Sequence, residues 1–271
     1  MATGVLTDCA ERAWLDLVLR GDAFVQPDVY LGLFTANPGE AGALANEVSG
    51  NGYDRLACAN WDAPSGRLTR NTDTVMFPTA AGGDWGSITH MAILDSGTPG
   101  AGNALVVIPL TAAKYVAEGE TPQFAATQIV VSVPSANGIS NYLADALLNH
   151  LLRKGAGSTA YSAPATKKLA LCFSSPGDAG TLDPPVGNAY AHTTHNAWYA
   201  AATDGSNVTT IKNDGACTFP TCTPGAWGTL PYGAVTDGTN ALFYGALTTP
   251  IAVGAGDTPQ VGDSQFVIQL N

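Results

Sequence analysis

Apolar positions recur every three or four residues in only two stretches of the chain. Leu6, Cys9 or Ala10, Ala13, Trp14, Leu17 and Val18 share one face of a helix over 6–20. Tyr142, Leu143, Ala146, Leu147, His150 and Leu151 do the same over 140–153. Thr7 or Asp8 supplies the N-cap of the first helix, with Glu11 three residues after Asp8 as in a capping box. Gly21 ends the first helix and Gly155 the second. The remainder consists of short apolar runs at 29–34, 75–77, 88–94, 104–110 and 128–133, each bounded by Gly, Pro, Asn or Asp. Such runs at intervals of roughly 8–12 residues predict antiparallel strands arranged as a β-sandwich or jelly-roll-like barrel.

The second half of the chain replays the first. Residues 6–21 are answered by 139–155, and NPGEAG at 37–42 by SPGDAG at 175–180. Tyr53 and Trp61 match Tyr190 and Trp198, and Phe77-Pro78-Thr79 matches Phe219-Pro220-Thr221. DWGSITHMAILD at 84–95 matches AWGTLPYGAVTD at 226–237, and residues 118–133 match 254–270. The order never changes, so the chain reads as a tandem duplication. Two domains are expected, 1–134 and 135–271, each a helix followed by a β-sandwich. The turn-rich segment Pro134-Ser135-Ala136-Asn137-Gly138 joins them.

Composition narrows what such domains can do. Only 12% of the residues are charged, about half the usual share, while Gly and Pro number 31 and 17. A surface so poor in charge is suited to lying against other protein. The net charge of −11, with Arg153-Lys154 and Lys167-Lys168 as the densest basic spots, argues against nucleic acid as a partner. No apolar run approaches the ~18 residues of a membrane span, and Asp8, Glu11 and Arg12 interrupt the apolar start as no standard signal peptide does. The five cysteines, Cys9, Cys58, Cys172, Cys217 and Cys222, are odd in number and irregularly spaced, which points to buried free thiols. Whether Cys217 and Cys222 close a small disulfide loop stays open at this stage.

No constellation for catalysis, cofactor or metal emerges, and no residue is assigned to any of these roles. Asp95-Ser96-Gly97 brings to mind the paired aspartates of an aspartic protease, but the second copy carries Asp237-Gly238-Thr239, and Asp followed by Gly suits a hairpin turn. His90, His150, His192 and His195 lack the acidic or thiol neighbours of a ligand set, and His90 aligns with Tyr232 as a partly buried aromatic filler. The sequon Asn207-Val208-Thr209 has no secretory signal to give it meaning. The recurring tryptophans, Trp61 with Trp198 and Trp85 with Trp227, suit core packing first and a sugar-stacking platform second; the unmatched Trp14 is also expected in the core.

LGLFTANPGEAG, EVSGNGYDRLA, FPTA, DWGSITHMAILD and GETPQFAATQIVVSV, read in order, resemble a family of tailed-bacteriophage virion proteins, commonly described as tail-fibre or structural proteins. Its members run through a helix, then LFTA-PG-AG, EVSG-GYAR, FP, WG-VTHF-I-D and L-TP--V--GDTP-F. The first copy carries almost the whole pattern, including Glu47-Val48-Ser49-Gly50 and Gly52-Tyr53. The second matches strongly at Trp227-Gly228 and 242–259 but replaces EVSG by Pro184-Pro185-Val186-Gly187. The resemblance implies a non-enzymatic, multi-copy structural component of a phage particle, in the tail or neck fibre apparatus or decorating the capsid exterior. Its expected partners are other virion proteins and copies of itself, with a trimer the leading homo-oligomer, or monomers ordered only by the particle. A glycan-binding adhesin module for host recognition is the alternative. A glycan depolymerase comes third, because the acidic residues are scattered among turns rather than paired.

Overall fold

A computed structural model describes residues 3–135, 138–155 and 158–270; Ala136 and Asn137 of the expected linker lie outside the described residues. Among the described residues the chain is mainly β, the strand ladders are antiparallel, and two α-helices open the two repeats. The tandem, mainly β organisation expected from the sequence is what the structure shows. Two compact units are present. The first comprises residues 1–11, 25–134 and 145–161, and the second 12–24, 135–144 and 162–271.

In the first unit the strands are β1 (Val5–Leu6), β2 (Tyr30–Phe34), β3 (Leu56–Ala57), β4 (Leu68–Arg70), β5 (Val75–Met76), β6 (Gly86–Leu94), β7 (Ala104–Val116), β8 (Gln123–Phe124) and β9 (Val130–Ser132). A five-stranded sheet runs β1-β7-β6-β2-β3, accompanied by the two-stranded ladders β4-β9 and β5-β8. Leu31, Leu33, Met91, Ile93, Val106 and Ile108 are buried from the main sheet. Gly4, just before β1, donates its N–H to the Val130 carbonyl at 2.9 Å, and a Cβ there would collide with Val106 and Ile108. Only glycine allows so close an approach.

The second unit repeats this plan with β10 (Lys168–Cys172), β11 (Thr193–Thr194), β12 (Ala202–Thr203), β13 (Thr209–Lys212), β14 (Cys217–Thr218), β15 (Gly228–Thr236), β16 (Ala241–Val253), β17 (Gln260–Val261) and β18 (Val267–Leu270). Its main sheet, β11-β10-β15-β16, has the order of β3-β2-β6-β7, and an Ile139–Phe243 bridge takes the place of β1. The ladder β13-β18 answers β4-β9, with β12 added at its edge, and β14-β17 answers β5-β8.

Helix α1 (Asp8–Leu15) continues as a π-helical turn, Asp16–Arg20, and stops at Gly21, whose positive φ of 75° closes it with a hydrogen bond to the Asp16 carbonyl. Thr7, not Asp8, is the cap: its Oγ1 accepts from the Ala10 N–H, as Ser140 Oγ accepts from Leu143 ahead of α2 (Asn141–Leu152). Both apolar faces are broader than the periodicity suggested. Leu15 and Leu19 are buried beside Trp14 and Val18, and in α2 the buried stripe is Leu143, Ala144, Leu147, Leu148, Leu151 and Leu152. Tyr142, expected in that stripe, is instead half exposed at 51%. Adjacent Leu143 and Ala144 fill the inward position without requiring a buried partner for a phenol hydroxyl.

Candidate functional site

Most of the residues that recur in both repeats build the scaffold. Trp85 and Trp227 are buried, and each indole N–H donates to a turn carbonyl, that of Asn51 at 2.9 Å and of Asn188 at 2.8 Å. Their edges meet Tyr53 and Tyr190 in T-shaped contacts at 5.3 and 5.0 Å. Trp14, Trp61 and Trp198 are buried as well, so no tryptophan presents a ring face for a sugar. Burial lifts both tyrosine hydroxyls well above the ordinary phenol range. Tyr53 accepts from the Leu33 N–H and donates to Glu47, while Tyr190 bonds the N–H and carbonyl of Leu171.

Asn71 and Asn213 form a further matched pair. Asn71 Nδ2 donates to the Asp73 and Ala125 carbonyls, and its Oδ1 accepts from Ile129 N–H. Asn213 makes the same three bonds to Gly215, Gly262 and Phe266. The two fully buried amides were legible as Asn-Thr-Asp against Asn-Asp-Gly once the halves were aligned. The signal is short and polar, and so it stands out less than the aromatic and turn motifs.

The acidic turn residues do not converge on a reaction centre. Asp95 accepts from the N–H and side-chain amide of Asn103, and Asp237 from Thr239 and Asn240, so both carboxylates are spent on hairpin turns. Burial pushes the Asp237 carboxyl up, but those hydrogen bonds outweigh it and hold it below its ordinary value. Cys58, Cys172, Cys217 and Cys222 are buried free thiols, and Cys9 is partly exposed. Desolvation raises Cys58 to about 12 and Cys217 to about 11.

The histidines are packing groups. His90 is half buried with Nδ1 2.9 Å from Thr89 Oγ1, and His150 Nδ1 accepts from Tyr161 N–H at 3.1 Å. His192 lies edge-on to Tyr190 and His195 edge-on to Trp198. Burial lowers the pKa of His90, His192 and His195 below the ordinary 6.5, helped at His192 by Lys168 and opposed at His195 by the Ala197 backbone and Asp214. The unfolded chain therefore binds protons first as pH falls. Stability should be intact above about 6.5 and decline as pH drops through that value towards the lower folded-state values. Thermal melts between pH 8 and pH 5 check this, and His195→Phe should flatten the profile; a melting temperature that rises on acidification would contradict it.

What remains after the scaffold is subtracted is a feature of the long hairpins. Along β6 and β7, Ile88 pairs with Lys114 and His90 with Pro109, so Thr89 alone faces the four residues Leu110-Thr111-Ala112-Ala113. Along β15 and β16, Leu230 pairs with Ile251 and Tyr232 with Ala246, so Pro231 faces Leu247-Thr248-Thr249-Pro250. The same wide bulge thus stands at the same place in each repeat. Thr111, Ala112 and Ala113 are exposed, as are Thr248, Thr249 and Pro250, while Leu110 and Leu247 are half buried. A cleft adjoins each bulge. In the first unit it measures about 250 Å³ between Leu110, Thr111, Phe124 and Gln128; in the second, about 350 Å³ between Leu247, Thr248, Gln265 and Phe266. Bulges re-aim side chains and end strand pairing. Here they present small uncharged residues beside a cleft, an arrangement suited to contact rather than to proton transfer.

Among the described residues no group of three or more His, Cys, Asp or Glu side chains is placed to hold a metal ion, and no helix is long and apolar enough to cross a membrane. The family model for podophage GP4 fiber I protein gp80 matches the chain twice, over residues 5–132 and 138–269, one match in each repeat. The chain belongs to this family of podophage fibre proteins, structural components of the virion. The resemblance drawn from the sequence motifs is thereby established, and the family unit is a single repeat that this chain carries in tandem. No curated protein was found to match the chain.

Proposed function

We propose that the chain is a non-enzymatic, multi-copy building block of the fibre or of the capsid exterior, which joins other virion proteins and copies of itself through the two bulged hairpins. The observation that carries this reading is the recurrence of the same uncharged bulge and adjoining cleft in both repeats. Chemistry would call for converging titratable groups, whereas here the acids hold turns and the histidines pack against aromatics. The five buried tryptophans leave the adhesin reading without its stacking platform. Two copies of one surface on one chain let it bridge neighbouring sites, which favours a homo-oligomer, with a trimer first among the arrangements, or an array ordered by the particle.

The test is the double variant Thr111→Arg with Thr248→Arg. Both side chains are exposed, so the melting temperature should hold, while burial of two unpaired cations should weaken assembly by on the order of 2 kcal/mol or more. Sedimentation of the purified protein and its content in assembled particles measure this. Unchanged association and unchanged incorporation would remove the bulges from the interface, and a particle map locates the chain on head, neck or tail. A specific contact should bury at least ~1,000 Å² in total.

A further inference from the structure

The compact units do not coincide with the sequence repeats along the two helices. Residues 12–24 belong to the first repeat and are part of the second unit, and residues 145–161 belong to the second repeat and are part of the first unit. The two seats share an anchor. In the second unit, Arg20 Nη1 donates to the Trp198 carbonyl at 3.1 Å; in the first, Arg153 Nε donates to the Trp61 carbonyl at 3.1 Å. Arg20 aligns with Arg153, and Trp61 with Trp198. One turn earlier, the Asp16 carboxylate accepts from the Ala201 N–H at 2.9 Å. On the other helix the carboxylate contact stands at a different position, about two turns before Arg153: Asp145 accepts from the Arg67 N–H at 2.6 Å and from the Gly66 N–H at 3.2 Å. The apolar content of each seat is large: Trp14, Leu15, Val18 and Leu19 in one unit, Leu147, Leu148, Leu151 and Leu152 in the other, all fully buried.

From this reciprocity we infer that the repeats exchange the greater part of their helices, each repeat completing its core with the helix that the other encodes. Domain swapping ordinarily joins two chains; here the tandem duplication supplies both partners within one chain. A repeat is then not a removable bead. Without the incoming helix its core faces water over the area those side chains would cover, so the two repeats are expected to fold and unfold as one.

The intact chain tests both halves of this inference. Asp16→Ala should speed amide exchange at Ala201, far along the sequence, more than at Arg67; Asp145→Ala should speed it at Arg67 more than at Ala201. Protection that stays the same at both amides, or that responds only within the substituted residue's own repeat, overturns the exchange. For the coupling, Cys58 in the first unit and Cys217 in the second are buried thiols that report unfolding through pulsed alkylation and mass spectrometry. Leu19→Ala should lower the urea midpoints of both thiols together, by on the order of 1 M, and Leu152→Ala should do likewise. Two separated midpoints, with only one of them moved by Leu19→Ala, would show that the repeats unfold independently. Should Leu19→Ala fail to fold, Leu19→Met gives a smaller shift that the same reporters resolve.

Discussion

Arg55→Ala is expected to cost about 3–5 kcal/mol of stability, because it breaks a buried ion pair and strands its partner. The Arg55 side chain is wholly inaccessible and that of Glu47 nearly so. Arg55 Nε and Nη2 grip the two Glu47 oxygens at 2.6 and 2.7 Å, and Nη1 donates to the carbonyls of Ser96 and Ala101 at 2.6 and 2.8 Å. Glu47 also accepts from the Tyr53 hydroxyl and from the Gly100 N–H. Removing the guanidinium leaves a buried carboxylate without its counter-charge and two turn carbonyls without a donor. Replacing both charges should hurt far less, since the desolvation of two ions disappears with them. The second repeat already supports this: His192 stands where Arg55 does, Pro184-Pro185 replaces the Glu-Val stretch, and the strand order is kept. Urea denaturation of Arg55→Ala against the pair Glu47→Leu with Arg55→Met checks the argument. A single variant that loses less than about 1 kcal/mol would place this pair with weakly contributing surface bridges.

That network also shows how far the sequence could be read. The EVSG and GY-R motifs were visible as a signature, and their spacing matched a family, but nothing in the string says that Glu47 meets Arg55 beneath the Ser96–Ala101 turn. The meeting depends on β2, which pairs with β3 next to Arg55 and bridges to Glu47 through Phe34. The duplication was legible because turn residues and aromatics repeat in fixed order, and the strands were legible because short apolar runs end at glycine, proline, asparagine or aspartate. The bulges were not. Alternation along 104–116 and 241–253 shows which residues can face inward, while register depends on the partner strand. The exchanged helices were hidden for a related reason: periodicity identifies an apolar face without naming the sheet that receives it. Tyr142 illustrates the limit, since a rotation of the stripe by one residue put it in water.

Trp85→Ala and Trp227→Ala should each cost about 3–5 kcal/mol, the range for truncating a buried tryptophan. Each indole is more than nine-tenths buried and sits edge-on to a buried tyrosine, so truncation removes packed area and an aromatic contact together. A polar loss adds to this. Trp85 Nε1 satisfies the carbonyl of Asn51, a residue held at φ 49°, and Trp227 Nε1 satisfies that of Asn188 at φ 48°. Left-handed backbone is unfavourable for a residue with a Cβ, and these turns persist because the surrounding bonds over-determine them. Asn51 Nδ2 in turn donates to the Asp84 carbonyl and Asn188 Nδ2 to that of Ala226, so turn and strand hold one another in both repeats. Trp→Phe keeps most of the area and loses only the N–H donor, and should therefore cost clearly less than Trp→Ala at the same site. Calorimetry on the four variants decides the matter. Equivalent losses at the two positions would show that the anchor is a property of the repeat, whereas an alanine variant with an unchanged melting temperature would refute the packing role at that site.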